Sequence, residues 1–190
     1  MKPLLISKYS PVLNELVLES LSEILGADGM ETLSASLLVD QRPCDAQTLE
    51  RTLVDFYGQH SAAGILIRAG RTAFTRLLLK FAAELGYEDQ HFRLLAPRRK
   101  MGVALQSLAE WLNRQGGGEF EVRNEEGCWQ WFHRPFFEEE NDTGAGMACP
   151  FLLGMLQELS YWVNSGRVHL IREKPYPQGC LLEIEKKPLD

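Results

Sequence analysis

Three residues near the C-terminal end of the chain have side chains and spacing that could do chemistry. Cys149 stands at the start of a predicted helix, Glu173 ends a predicted strand, and Cys180 opens the next strand across a turn. The other cysteines, Cys44 and Cys128, lie far away in the sequence, and no CxxC pair occurs. In a chain of this length without a secretory signal, such spacing favours thiols or metal ligands over disulfides. Buried, unreactive thiols are the plainer alternative for each cysteine taken alone.

Signatures of common enzymes are absent from the sequence. It contains no GxSxG nucleophile motif, no phosphate-binding P-loop and no GxGxxG between a strand and a helix. The GAG at residues 144–146 is a turn signal, and the acidic run at 138–142 lacks the spacing of a calcium loop. We therefore assign no catalytic and no cofactor-binding residue, and the sequence favours a non-enzymatic role.

Composition limits the partners of this chain. Its 190 residues, 45% of them hydrophobic, suit one domain over 1–190, with a helical part at 1–60 and a second part at 61–190. A net charge of -6 argues against nucleic acid, although the local patch Arg98, Arg99 and Lys100 could bind a phosphate. The sequence has no run of about 18 apolar residues that would predict a transmembrane segment. The apolar stretch at the N-terminus is too short for the core of a signal peptide, so we expect a cytoplasmic protein.

Hydrophobic periodicity places helices before strands. Caps and apolar stripes predict helices at residues 11–25, 28–39, 46–57, 64–85, 98–115 and 148–164. Alternating and aromatic residues predict one hairpin around residues 119–133 and a second around 168–185. Together they predict an α+β fold, in which a four-stranded, twisted antiparallel sheet is covered by helices on one side.

Several segments of the second part resemble the 4-vinyl reductase domain family, of the hydrocarbon-binding protein type. They are CPFLLG at 149–154, GRVHLIRE at 166–173 and GCLLEI at 179–184, together with RAGR at 68–71. The resemblance runs from the third predicted helix to the end of the chain and is most specific over the last forty residues or so. It implies a fold shared with subunits of the TRAPP vesicle-tethering complex, which is often dimeric and often encloses an apolar cavity.

The same resemblance implies a zinc site. In phenol-sensing members of the family, zinc is held by a cysteine before the last helix, a glutamate ending the next strand and two further cysteines. Cys149, Glu173 and Cys180 match three of these positions, whereas Tyr176 stands at the fourth. His133 or His169 could complete the shell, and without them three ligands and water would form an open site. Two buried thiols and a surface glutamate are the alternative.

The resemblance also implies a pocket for an apolar or aromatic ligand. Tryptophan suits such a wall, because its indole combines a flat apolar face with an N–H donor. Ordinary core packing is the alternative for every candidate. The predicted pocket residues are Phe74, Phe81, Trp129, Trp131, Phe151, Met155 and Trp162.

We therefore expect a non-catalytic domain that binds a hydrocarbon, a tetrapyrrole or an acyl chain and acts as a sensor or carrier. A homodimeric interaction or scaffold subunit is one alternative. An accessory protein or reductase of (bacterio)chlorophyll and tetrapyrrole metabolism is another, ranked last because the sequence offers no nicotinamide or flavin site and no placed proton donor.

Overall fold

The computed structural model describes Ile6 and residues 9–39, 44–135 and 147–189. The acidic segment and turn predicted at 138–146 lie outside these residues. The described helices and strands are α1 (Pro11–Val39), α2 (Ala46–Tyr57), α3 (Gln59–Phe81), α4 (Gln90–Leu94), α5 (Pro97–Gln115), β1 (Glu119–Asn124), β2 (Cys128–Arg134), α6 (Cys149–Val163), β3 (His169–Lys174) and β4 (Cys180–Pro188).

The predicted helix boundaries agree best with the structure where a capping residue or a glycine ends the helix. Gly26 has a φ of 72° and interrupts α1 where the sequence predicts the change from one helix to the next. Asp45 caps α2 by accepting a hydrogen bond of 2.6 Å from the Thr48 amide. The long helix α3 begins at Gln59 and ends at Phe81, five residues earlier at its start and four residues earlier at its end than predicted.

One helix, α4, is not predicted by the sequence. Helix α4 has five residues, too few to show a 3.6-residue period. It is held by packing, because Phe92 is buried and stacks on Tyr87 with ring centroids 5.0 Å apart.

The four strands form an antiparallel sheet in the order β1-β2-β4-β3, in which β1-β2 and β3-β4 are the two predicted hairpins. Pairing of β2 with β4 joins the hairpins, so that Trp131 lies opposite Leu182 and His133 lies opposite Cys180. The α+β fold with a four-stranded antiparallel sheet is therefore confirmed.

One face of the sheet completes the helical core. Trp129 and Trp131 in β2, with Leu182 and Ile184 in β4, are buried on that face and belong to the core cluster. Phe132 points to the opposite face, where the Arg123 guanidinium lies 4.4 Å from its ring centroid. No helix in the described part of the chain is both long and apolar enough to span a bilayer.

Candidate functional site

The structure joins two of the predicted zinc ligands to each other. Cys149, at the start of α6, and Cys180, at the start of β4, form a disulfide with their Cα atoms 5.7 Å apart. Zinc binds thiolates, and a disulfide sulfur is not one. Glu173 pairs with Leu182 in the sheet, and the described residues contain no group of three or more His, Cys, Asp or Glu side chains arranged to hold a metal.

The expectation of thiols or zinc ligands at Cys149 and Cys180 is therefore wrong for this arrangement. It rested on the assumption of a reducing compartment and not on the distance between the two residues. Tyr176, the residue at the fourth ligand position, has a different role, because its hydroxyl accepts a hydrogen bond of 2.8 Å from Arg134 Nε.

Neither remaining cysteine is an activated nucleophile. Cys44 is buried, and burial, together with the nearby Asp45, raises the pKa of its thiol to about 11. Burial also raises the pKa of the half-buried Cys128 thiol. A raised thiol pKa lowers the thiolate fraction at neutral pH, so neither residue suits nucleophilic catalysis.

Six of the seven predicted pocket residues lie in the aromatic and aliphatic packing of the domain. Phe74, Trp131 and Met155 are fully buried. Phe151 borders an interior gap of only about 10 Å³. Phe81 lies 5.4 Å from the Trp111 ring.

Trp162 is the most exposed of the six. It is 38% exposed and packs on Phe74, Tyr87 and Phe92. A ligand-lining role for these six residues stays a prediction.

The seventh, Trp129, borders two adjoining cavities of about 470 and 310 Å³, which together we call the Trp129 groove. Both cavities are also lined by Arg98 and Lys186. The larger is completed by Leu95, Arg99, Gly102, Val103 and Asn124. The smaller is completed by Pro97, Val163, Asn164, Ser165, Arg167, His169 and Pro188.

The sheet supplies the floor of the groove and helix α5 supplies one wall. Trp129 is only 3% exposed and pairs with Asn124 in β1 and Ile184 in β4, so its indole has a fixed position. Gly102 of α5 faces this indole, since a Cβ atom there would lie 3.4 Å from Trp129 Nε1, in van der Waals contact. Lys186 Nζ lies 5.5 Å from the Trp129 ring centroid, within the range of a cation–π contact.

The groove is cationic although the chain carries a net charge of -6. Arg98, Arg99, Arg167 and Lys186 line it, and its described lining contains no Asp or Glu. Arg98 Nη2 donates to the Glu126 carbonyl oxygen at 3.3 Å, and Lys186 Nζ donates to the carbonyl oxygen of the neighbouring residue 125. These partners are main-chain oxygens, so they leave the positive charges unneutralised.

The two buried histidines differ in their partners. His133 Nε2 lies 3.1 Å from the Gly117 carbonyl oxygen, and its ring stacks on Phe120 at 4.6 Å. Burial lowers the pKa of His133 to about 4, against the weaker opposing effect of that hydrogen bond. His169 instead borders the groove, and its Nδ1 lies 2.7 Å from the Glu185 carbonyl oxygen, whereas its buried Nε2 has no hydrogen-bond partner.

Sequence comparisons identify no relative, whereas the structural comparisons agree with one another on the fold. No protein-family profile and no curated protein matches the chain. A structure solved for the mechanism of H-NOX activation has a TM-score of 0.58 at 9% identity and covers 96% of this chain and 98% of its own. An oxygen-binding H-NOX domain related to soluble guanylate cyclases has a TM-score of 0.54 at 11% identity, covering 93% and 95%.

The fold is that of H-NOX domains. A third similar structure, solved in work on haem redox potential and porphyrin distortion, has a TM-score of 0.56 at 10% identity and covers 92% of this chain and 97% of its own. The resemblance to the 4-vinyl reductase and TRAPP families is therefore wrong as an assignment. It relied on short segments, most of them in the last forty residues or so, whereas the H-NOX likeness extends over at least nine-tenths of the chain.

The described residues do not fit an enclosed haem. Haem iron takes an axial ligand such as histidine. His133 Nε2 is hydrogen-bonded to the Gly117 carbonyl and His169 lies at the outer groove, while His60 and His91 are exposed. The interior gap beside Phe151 measures about 10 Å³, whereas ligand pockets typically measure about 300–1,000 Å³. The buried face of α5 is filled by its own side chains, including Met101 and Leu105, which have no exposed surface.

Proposed function

We propose that the chain is a non-catalytic domain that binds a small molecule in the Trp129 groove and acts as a sensor or carrier. The observation that supports this most directly is the groove itself, with cavities of about 470 and 310 Å³ that meet at one fixed indole. These volumes lie in the range of small-molecule sites, about 300–1,000 Å³. The likeness to an oxygen-binding H-NOX domain adds only an analogy of fold.

The larger cavity suits a flat apolar or aromatic body. Leu95 and Val103 contribute aliphatic surface beside Trp129, and Gly102 leaves the space between α5 and the indole free of a side chain. An aromatic ring packed against the small exposed part of the indole and the neighbouring aliphatic side chains would gain both buried area and a favourable ring contact. We therefore favour an aromatic ligand over a long acyl chain.

The lining of the groove supports binding more than catalysis. In the described residues it contains cations, amides, one hydroxyl, Ser165, and one imidazole, His169, but neither a carboxylate nor a cysteine. A serine nucleophile needs a base hydrogen-bonded to it, whereas His169 bonds only to the Glu185 carbonyl and not to Ser165. Binding followed by a change in the protein or in its partners needs no such pair.

Blocking the groove tests this proposal. The neutral fluorophore N-phenyl-1-naphthylamine should bind saturably to the purified protein, and Gly102→Leu should weaken that binding at least tenfold by filling the space above Trp129. Gly64→Leu is the matched control, since Gly64 lies on α3 outside the groove lining, and a Cβ atom there would have no other atom within 4 Å. Both changes raise helix propensity, so neither should unfold the protein.

Equal binding by wild type and Gly102→Leu would show that the groove is not the ligand site. Native mass spectrometry of protein from its own host gives a second readout, in which a bound mass should be present in wild type and lost in Gly102→Leu. The homodimer stays a prediction, and sedimentation at micromolar concentration measures it directly.

A further inference from the structure

The arginines that line the Trp129 groove have no carboxylate partner. On the outer helices and on the sheet, several basic side chains do pair with carboxylates. The pairs are Arg71–Glu158, Arg76–Glu19, Lys80–Glu15, Arg134–Glu121, Arg172–Glu185 and Lys174–Glu183. Within the described residues, Arg98, Arg99 and Arg167 pair with no carboxylate. The same is true of Arg51, Arg68, Arg93 and Arg114, but those four lie outside the groove lining. Three unpaired arginines around one groove give it a positive potential, although the chain as a whole is acidic.

The first turn of α5 adds main-chain donors to this charge. Pro97 has no N–H, and the N-cap residue Ala96 supplies no side-chain hydrogen bond. The first intrahelical hydrogen bond in this turn runs from the Lys100 amide to the Ala96 carbonyl at 2.9 Å, so the amides of Arg98 and Arg99 precede it. Free amides and the positive end of the dipole of a 19-residue helix attract anions.

His169 is an independent indication of a missing partner. It is only 5% exposed, and its Nδ1–H donates to the Glu185 carbonyl at 2.7 Å. The hydrogen bond to β4 leaves the other edge of the ring, which carries Nε2, without a partner, and the residue borders the groove. Buried polar atoms are nearly always hydrogen-bonded, so the unpartnered Nε2 of this groove-lining residue indicates a ligand atom. Because Nδ1 is the donor of the neutral ring, Nε2 donates to an anion when the ring is protonated and both nitrogens carry a proton.

We infer that the ligand of the Trp129 groove carries an anionic group, a carboxylate or a phosphate, that binds between Arg98, Arg167 and His169 at the start of α5. The apolar body of the ligand lies in the larger cavity on Trp129, and the anion lies in the smaller one. Arginine suits both anions because its planar guanidinium can donate two parallel hydrogen bonds. This inference rests on the proposed function for the position of the ligand and adds its chemical class.

Two fluorophores that differ by one sulfonate test the inference. In 8-anilinonaphthalene-1-sulfonate the sulfonate stands in for the anionic group, whereas N-phenyl-1-naphthylamine has the same rings without it. Arg98→Gln and Arg167→Gln should each weaken binding of the sulfonate about tenfold and leave the neutral probe within twofold. Arg114→Gln is the control, because it removes the same charge from the exposed last turn of α5, about 24 Å along the helix.

His169→Asn separates the two ring nitrogens. The Asn amide can still donate to the Glu185 carbonyl, as Nδ1 does, but has no group at the position of Nε2. We expect an unchanged unfolding temperature within about 3 °C and weaker binding of the sulfonate probe only. If His169→Asn does not fold, binding of the two fluorophores to Arg98→Gln and Arg167→Gln tests the inference.

The source of the anion is tested by displacement of the bound sulfonate probe. 1-Naphthoate and 1-naphthyl phosphate should both displace it, the better competitor marking the preferred group, and 1-naphthol should displace it at least tenfold less well. Equal affinity of the two fluorophores, with no effect of Arg98→Gln or Arg167→Gln, would overturn the inference but leave the proposed function standing. Absence of binding by either probe would overturn both.

Discussion

Gly70 in α3 and Gly154 in α6 each lie directly against the main chain of the other helix. A Cβ atom at Gly70 would collide with the carbonyl oxygen of Phe151, and one at Gly154 would collide with that of Ile67. The two glycines therefore allow the backbones of the two helices to touch where they cross. This contact fixes α6, whose first residue forms the disulfide and whose last residue, Val163, borders the Trp129 groove.

Adding a methyl group at this crossing should destabilise the protein. Gly70→Ala and Gly154→Ala each force a collision with main chain, which cannot rotate away, so we expect a loss of about 3 kcal/mol in the free energy of unfolding. Urea denaturation followed by circular dichroism measures it. Gly64→Ala on the same helix meets no atom within 4 Å and should be neutral or stabilise by up to about 1 kcal/mol. A loss in Gly64→Ala as large as in Gly70→Ala would refute this explanation.

Reducing the disulfide should loosen the attachment of α6 to the sheet. Cys149 and Cys180 are 31 residues apart, and a cross-link closing a loop of that size contributes roughly 3–4 kcal/mol through the entropy of the unfolded chain. We expect the double variant Cys149→Ser/Cys180→Ser to lose about that much stability. Denatured, unreduced wild type should show two reactive thiols and reduced protein four, and Cys128→Ser should keep its disulfide. Four reactive thiols before reduction would contradict the cross-link.

The sequence predicts most of the fold because its signals are local. Asp45 can cap a helix through its own side chain, Gly26 can interrupt one through its own φ, and the hairpins follow from alternation within ten residues. The disulfide depends instead on distance across the fold. Cys149 and Cys180 belong to different elements, and nothing in their spacing shows that the two starting residues meet.

The candidate site was only partly predictable for the same reason. Arg98 and Arg99 are adjacent in sequence and indicate phosphate binding by themselves. Arg167, His169 and Lys186 come from the other end of the chain and join them only through the antiparallel pairing of β3 and β4 with β2. Trp129 was among seven aromatic and methionine candidates, and its position on the face of the sheet next to α5 distinguishes it from the other six.

Two asparagines with the same pairing should respond differently to the same substitution. The buried Asn14 side chain accepts a hydrogen bond of 2.6 Å from the Ile6 amide and donates one of 3.2 Å to the Ile6 carbonyl. Asn113 does the same with Phe120, at 2.7 and 3.0 Å, but is exposed. Replacement by Asp turns a donor into an acceptor that faces a carbonyl. We expect Asn14→Asp to cost about 2–3 kcal/mol, because water cannot reach the unmatched oxygen.

Asn113→Asp should cost less than about 1 kcal/mol, since water can hydrate the new carboxylate. Thermal unfolding of both variants at pH 7 measures the difference. Equal losses would show that burial is not what makes the Asn14 interaction important.

His133 should make the stability of the domain depend on pH. Burial lowers its pKa from the ordinary 6.5 to about 4 in the folded protein. Between these values the unfolded chain binds a proton that the folded chain does not, so stability is full above about pH 6.5 and falls as the pH falls towards 4. The shift corresponds to at most about 3 kcal/mol.

Urea denaturation at intervals from pH 7 to pH 4 measures this dependence. His133→Gln should flatten it, because glutamine keeps a donor for the Gly117 carbonyl and does not titrate. His60→Gln, which removes an exposed histidine, should keep the slope of wild type. An identical slope in His133→Gln and wild type would mean that other groups, and not the buried imidazole, set the acid sensitivity of the fold.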